Sequence, residues 1–170
     1  ACHGVNATGG PGFPDLAAKA WLWGGEPETI EETIRIGINS TNDDTRTSQM
    51  PAFGRDAMLD RTQIENVVAY VRSLSGALPA EGNADRIEAG KQVFADNCVA
   101  CHGEDAKGNR DVGAPNLTDK SWIYGGDEQS VYTTVYSGRQ GHMPHWGERL
   151  SPLQIKLLTL YVHTLPSDGK

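Results

Sequence analysis

Apolar residues recur at helical spacing in several stretches of this chain, and nowhere do they alternate in the manner of a strand. Ile64, Val67, Val68 and Val71 share one face behind the opening Asp60-Arg61-Thr62-Gln63. Leu153, Leu157, Leu158 and Tyr161 follow Ser151-Pro152-Leu153-Gln154 in the same way, a capping-box start with Pro at the first helical position. Asp85 to Asn97 predicts a third helix, anchored by Ile87, Val93 and Phe94, that ends at Cys98. Glu28 to Ile36 and Glu128 to Tyr136 predict two shorter helices, each entered from a Gly-Gly turn. The pattern predicts an all-α protein.

The same elements occur twice. Pro14 and Leu16 fall on Pro115 and Leu117, Trp21 on Trp122, and Trp23-Gly24-Gly25 on Tyr124-Gly125-Gly126. Met50-Pro51 then meets Met143-Pro144, Phe53-Gly54 meets Trp146-Gly147, and Gln63-Ile64 and Tyr70-Val71 meet Gln154-Ile155 and Tyr161-Val162. A period near half the chain length means tandem domains of one type, expected at residues 1–79 and 80–170. The Pro/Gly-containing stretch from Gly76 to Asn83 reads as the linker between them. The helix before Cys98 has no counterpart before Cys2, so the first domain is expected to lack its N-terminal helix, with the natural chain continuing upstream of Ala1. Gly90 and Tyr161 suggest a close crossing of the first and last helices, and the polar stretch from Asn39 to Gln49, longer by eight than its counterpart, reads as a surface loop.

The chemistry enters with Cys98, Cys101 and His102, a CxxCH motif. Two thiols at this spacing can add to the two vinyl groups of one porphyrin, and the adjacent imidazole can bind its iron. A zinc site would want paired clusters supplying four ligands, and the chain has no further CxxC. Ala1-Cys2-His3-Gly4 repeats Ala100-Cys101-His102-Gly103, so Cys2 and His3 are the remains of a second such motif. Two covalently bound haem c groups are expected, each also supplying apolar volume that a small domain lacks. Met50 and Met143 are the candidate sixth ligands, 47 and 41 residues after their own repeat's histidine. The expected metal pairs are His3 with Met50 and His102 with Met143. His142 and His145 are their rivals, Met58 is core filler, and His163 is a surface or packing residue. Trp21, Trp122, Trp23 and Tyr124 are expected to line the haems or to hydrogen-bond their propionates.

The net charge of −7 divides as −4 over residues 1–79 and −3 over residues 80–170. It argues against nucleic acid as a partner and fits a basic protein partner or simply an acidic solvated face. No apolar run approaches membrane-spanning length.

The tandem CHG, Pro-x-Leu, aromatic-Gly-Gly and Met-Pro-x-aromatic-Gly segments resemble the FixP/CcoP family, the dihaem cytochrome c subunit (subunit III) of cbb3-type cytochrome c oxidases. That resemblance implies two class I cytochrome c domains on the periplasmic face of a bacterial cytoplasmic membrane, anchored by an N-terminal helix. It also implies an electron-transfer subunit rather than an enzyme in itself. Electrons would come from a cytochrome bc complex or a small cytochrome c and pass to the other subunits of a terminal oxidase. A soluble dihaem carrier or a dehydrogenase cytochrome subunit is the nearest alternative, and a dihaem peroxidase or haem gas sensor is the more distant one, since either needs an open iron.

Overall fold

The computed structural model describes residues 2–166, which form six helices and no strand beyond isolated bridges. They are α1 Pro27–Ile36, α2 Arg61–Leu74, α3 Ala84–Asn97, α4 Val99–His102, α5 Glu128–Ser137 and α6 Pro152–Thr164. The caps explain the sharpest starts. Asp60 accepts from the Gln63 amide at 2.9 Å while Gln63 Oε1 accepts from the Asp60 amide at 2.9 Å, and Ser151 and Gln154 repeat the exchange at the head of α6. Pro27 stands at the start of α1, and Asp127 caps α5 through the Ser130 amide.

The helices pack across the repeats rather than within them. α2 lies against α3 and α5, whereas α1 lies against α6. One buried cluster joins Phe53, Ile64, Val67, Val68 and Val71 to Phe94, Val131 and Val135; the other joins Ile30 and Ile34 to Ile155. The packed bodies therefore cut across the division at residues 79 and 80. One is a continuous stretch from about Thr47 to Arg139; the other is built from the two ends of the chain. The Gly76 to Asn83 segment is the turn between α2 and α3, which lie against each other.

Two reciprocal backbone pairings hold this exchange in place. Ile38 and Met143 trade both amide–carbonyl bonds at 2.9 Å, and Met50 and Arg139 do the same at 2.8 and 3.1 Å. Each Met segment thus finds its backbone partners just past the short helix of the other repeat, where loop backbone would otherwise be unpaired. Gly37 and Gly138 end α1 and α5 at φ of 73° and 67°, and a Cβ on either would run into the carbonyl oxygen of Met143 or Met50. Asn39 adds a bond from its side-chain amide to the Gly141 carbonyl at 2.7 Å, so the surface stretch 39–49 is tied to the other repeat.

Two further expectations change. Gly90 does mark a close crossing, but its partner is α2: a Cβ there would collide with the Asn66 carbonyl, with Tyr70 Cβ at 2.9 Å. Tyr161, the repeat equivalent of Tyr70, is 55% exposed. Of the apolar residues at helical spacing in α6, Leu153 and Leu157 are 67% and 58% exposed, Leu158 and Tyr161 line a cavity, and Ile155 and Thr159 are its buried residues.

Candidate haem sites

α3 delivers Cys98 at its C-terminal end, and the single turn of α4 carries Cys101 and His102 onto the wall of a cavity of about 420 Å³. Met50, Phe94, Trp122, Val131 and Val135 line the same cavity. A second cavity of about 380 Å³ is lined by His3, Trp21, Ile30, Ile34, Met143 and Trp146. Both volumes lie in the range that holds an organic cofactor, and both linings are mainly apolar and aromatic.

The histidines are oriented alike. His102 Nδ1 lies 3.1 Å from the Pro115 carbonyl, and His3 Nδ1 lies 3.0 Å from that of Pro14. A carbonyl oxygen only accepts, so Nδ1 carries the hydrogen in each ring and Nε2 keeps its lone pair for a metal. His102 is buried, and burial lowers its pKa against the opposing bond to Pro115, which keeps the imidazole neutral. Burial, and secondarily the neighbouring Cys101, pushes the Cys98 thiol up to about 11. At neutral pH it is a thiol rather than a metal-binding thiolate.

The methionines correct the expected pairing. Met50 lines the cavity of His102, and Met143 lines that of His3, because each Met segment pairs with the backbone following the other repeat's short helix. Neither rival histidine lines either of these two cavities. His142 is exposed with Nδ1 2.8 Å from the Asn39 carbonyl, and His145 lies 3.7 Å from Glu148. Met58 is exposed rather than core filler, and His163 ties α6 to the Gly25 carbonyl at 3.1 Å.

The aromatic-Gly-Gly turns shape the cavity walls. Trp21 and Trp122 lie flat against Gly25 and Gly126, where a Cβ would overlap the indole. Trp23 packs over Gly113, and a Cβ on Gly12 would touch the Tyr124 ring, so each aromatic reaches from its own cavity to the repeat whose histidine serves the other. The bond from the Gly12 amide to the Ile123 carbonyl, at 2.8 Å, closes the same junction. Two residues were missed in the sequence: Arg139, which lines the first cavity, and Arg46, which lies over the Trp23 ring on the wall of the second. Their signal is hidden because they do not fall at equivalent repeat positions.

The donor set, a histidine and a methionine lining each cavity with Cys98 and Cys101 on the wall of the first and exposed Cys2 next to His3, fits a haem. Comparison with known proteins agrees. Residues 85–162 match the family described as cytochrome c oxidase, cbb3-type, subunit III, and residues 1–75 match the cytochrome c family. The chain is 52% identical over 165 residues to the cbb3-type cytochrome c oxidase subunit FixP of Bradyrhizobium sp. (strain ORS 278), covering 97% of this chain and 56% of that protein. It is 51% identical over 170 residues to the CcoP subunit of Cereibacter sphaeroides, again covering 56% of the relative. The FixP subunit of Azorhizobium caulinodans is 49% identical over 164 residues, and 55% of its length is covered. With two cytochrome c units and about half the length of these curated relatives, the chain belongs to the FixP/CcoP family of cbb3-type cytochrome c oxidase subunits.

Proposed function

We propose that this chain relays electrons through two covalently held haem c groups on the periplasmic side of a cbb3-type oxidase. Its donor would be a cytochrome bc complex or a small cytochrome c, and its acceptors the other oxidase subunits. Cys98, Cys101, His102 and Met50 hold one group; Cys2, His3 and Met143 hold the other. When bound, the haem supplies a one-electron Fe(III)/Fe(II) couple. The observation that carries this reading is that each imidazole, oriented by a backbone carbonyl, shares a mainly apolar cavity with one thioether.

The residues supply what such a relay needs. A methionine sulfur is a soft ligand that favours Fe(II), and a filled sixth position leaves no site for substrate or gas. Phe94, Val131, Val135 and Trp122 keep water from one cavity, and Ile30, Ile34, Trp21 and Trp146 from the other. Trp23 and Tyr124, at the junction of the cavities, keep the two sites adjacent.

Optical spectra of the purified protein, oxidised and then dithionite-reduced, with and without carbon monoxide, test the proposal. Two c-type haems per chain that ignore carbon monoxide are expected. A large carbon monoxide shift would mean an open iron and would replace the relay with a peroxidase or sensor.

A further inference from the structure

Six of the nine arginines pair with carboxylates: Arg35, Arg55, Arg61, Arg72, Arg86 and Arg110. Arg46, Arg139 and Arg149 have no carboxylate partner among the described residues, and each lies over an aromatic ring instead. Arg149 is exposed. Arg46 and Arg139 are half-buried.

These two have matching surroundings. The Arg139 guanidinium carbon is 4.1 Å from the Tyr124 ring centre, and its Nε and Nη2 donate to Thr134 Oγ1 at 3.1 and 2.9 Å. Arg46 lies 5.0 Å from the Trp23 ring centre and donates through Nε to Thr33 Oγ1 at 3.0 Å. Trp23 with Thr33 and Tyr124 with Thr134 are repeat equivalents and line the two cavities. The arginines themselves are not equivalent in sequence. Ile38 occupies the repeat position of Arg139, and the longer loop doubles back so that Arg46 pairs with backbone on either side of Ile38, its amide to Gly37 and its carbonyl to Asn39. Two different chain routes bring a guanidinium to the same place in each body.

Charge explains what that place requires. Among the residues lining the larger cavity Arg139 is the only Lys or Arg, and no Asp or Glu stands with it. A half-buried guanidinium with a threonine and a ring as its neighbours still has N–H groups to satisfy, and its planar fork matches a carboxylate. Haem carries two carboxylates on the edge opposite its thioether links. We propose that Arg139 binds a propionate of the haem held by Cys98 and Cys101, and Arg46 a propionate of the haem held by Cys2. The aromatic ring and threonine hold each guanidinium ready for it. The proposal rests on the haem assignment above.

A fixed positive charge beside the porphyrin opposes Fe(III) more than Fe(II), so it raises the midpoint potential. The test is spectroelectrochemical titration of the holoprotein carrying Arg139→Gln or Arg46→Gln, after haem content has been measured. Arg61→Gln removes the same charge from the exposed surface of α2 and serves as the control. The two redox components are assigned by which one moves in Met50→Ala. Each of the two arginine variants is expected to lower the potential of its own haem and leave the other near wild type. A shift no larger than that of Arg61→Gln, or one shared equally by both haems, would overturn the proposal. A wild-type protein without haem would instead defeat the assignment beneath it. The two arginines test the idea independently, so poor production of one variant leaves the other decisive.

Discussion

α2 and α6 occupy the same place in their repeats and open on the same capping box, yet they meet different surroundings. α2 buries Ile64, Val67, Val68, Ala69 and Val71 under α3 and α5, with Asn66 and Tyr70 closed off by Gly90. α6 has α1 on one side; its Leu157, at the position of Asn66, is exposed, and its Tyr161, at the position of Tyr70, borders a cavity and is half exposed. What a helix buries here is decided by which helix covers it, not by its own apolar pattern. α6 is the more apolar of the two and the less buried.

The comparison depends on α2 and its Met50 segment belonging to the body of His102, and the largest expected effect tests that assignment. Met50→Ala should open the iron held by Cys98 and Cys101, making it high-spin, lowering its potential and admitting carbon monoxide, while the iron at His3 keeps its spectrum. If the His3 haem changes instead, the exchanged packing is wrong and each repeat closes its own site. Met143→Ala should give the mirror result.

Next in size is Gly90→Val. Its Cβ would meet the Asn66 carbonyl in a helix crossing with no room to spare, and overpacking of this kind costs about 3 kcal/mol. Urea unfolding followed by circular dichroism should show that loss, since backbone in both helices must move apart. A cost within about 0.5 kcal/mol, the range of an ordinary surface change, would mean that α3 does not press on α2 as described.

The elements of this fold were legible because their starts are written locally. Asp60 with Gln63, and Ser151 with Gln154, fix where two helices begin whatever packs on them. The clustering of Cys98, Cys101 and His102 was legible for the same reason: they are neighbours in sequence. Which methionine faces which histidine was not legible. Met50-Pro51 and Met143-Pro144 sit in nearly identical segments, so the sequence pattern suits a closed repeat and an exchanged one equally, and the choice falls to backbone bonds at Ile38 and Arg139. Arg46 escaped notice because its loop reaches the site by doubling back, which no position-by-position match of the repeats can register. The burial of α6 was not legible for a different reason. Helical spacing shows that residues share a face, but not whether anything covers it.

The caps offer a smaller and sharper test of the α2 and α6 comparison. Asp60→Ala and Ser151→Ala each remove one side-chain acceptor from a helix start, worth about 1 kcal/mol. Similar losses at both, measured by urea unfolding, would place the difference between the helices in their covering alone. A much larger loss at Ser151 would mean that α6, with fewer neighbours, depends more on its own cap.

The smallest expected effect is the most discriminating one for α6. In this chain Leu157 is exposed, so Leu157→Ala should change stability by no more than about 0.5 kcal/mol, as at an ordinary surface position. The chain spans about half the length of the curated relatives it matches, and the same substitution in a full-length relative asks whether anything further rests on that face. A loss of about 2 kcal/mol or more there would mark Leu157 as buried, the cost expected for truncating a core leucine. α6 would then be covered as α2 is covered by α3, and the two bodies would be alike in packing as well as in sequence. An effect as small as in this chain would make the asymmetry of the two bodies a property of the whole protein.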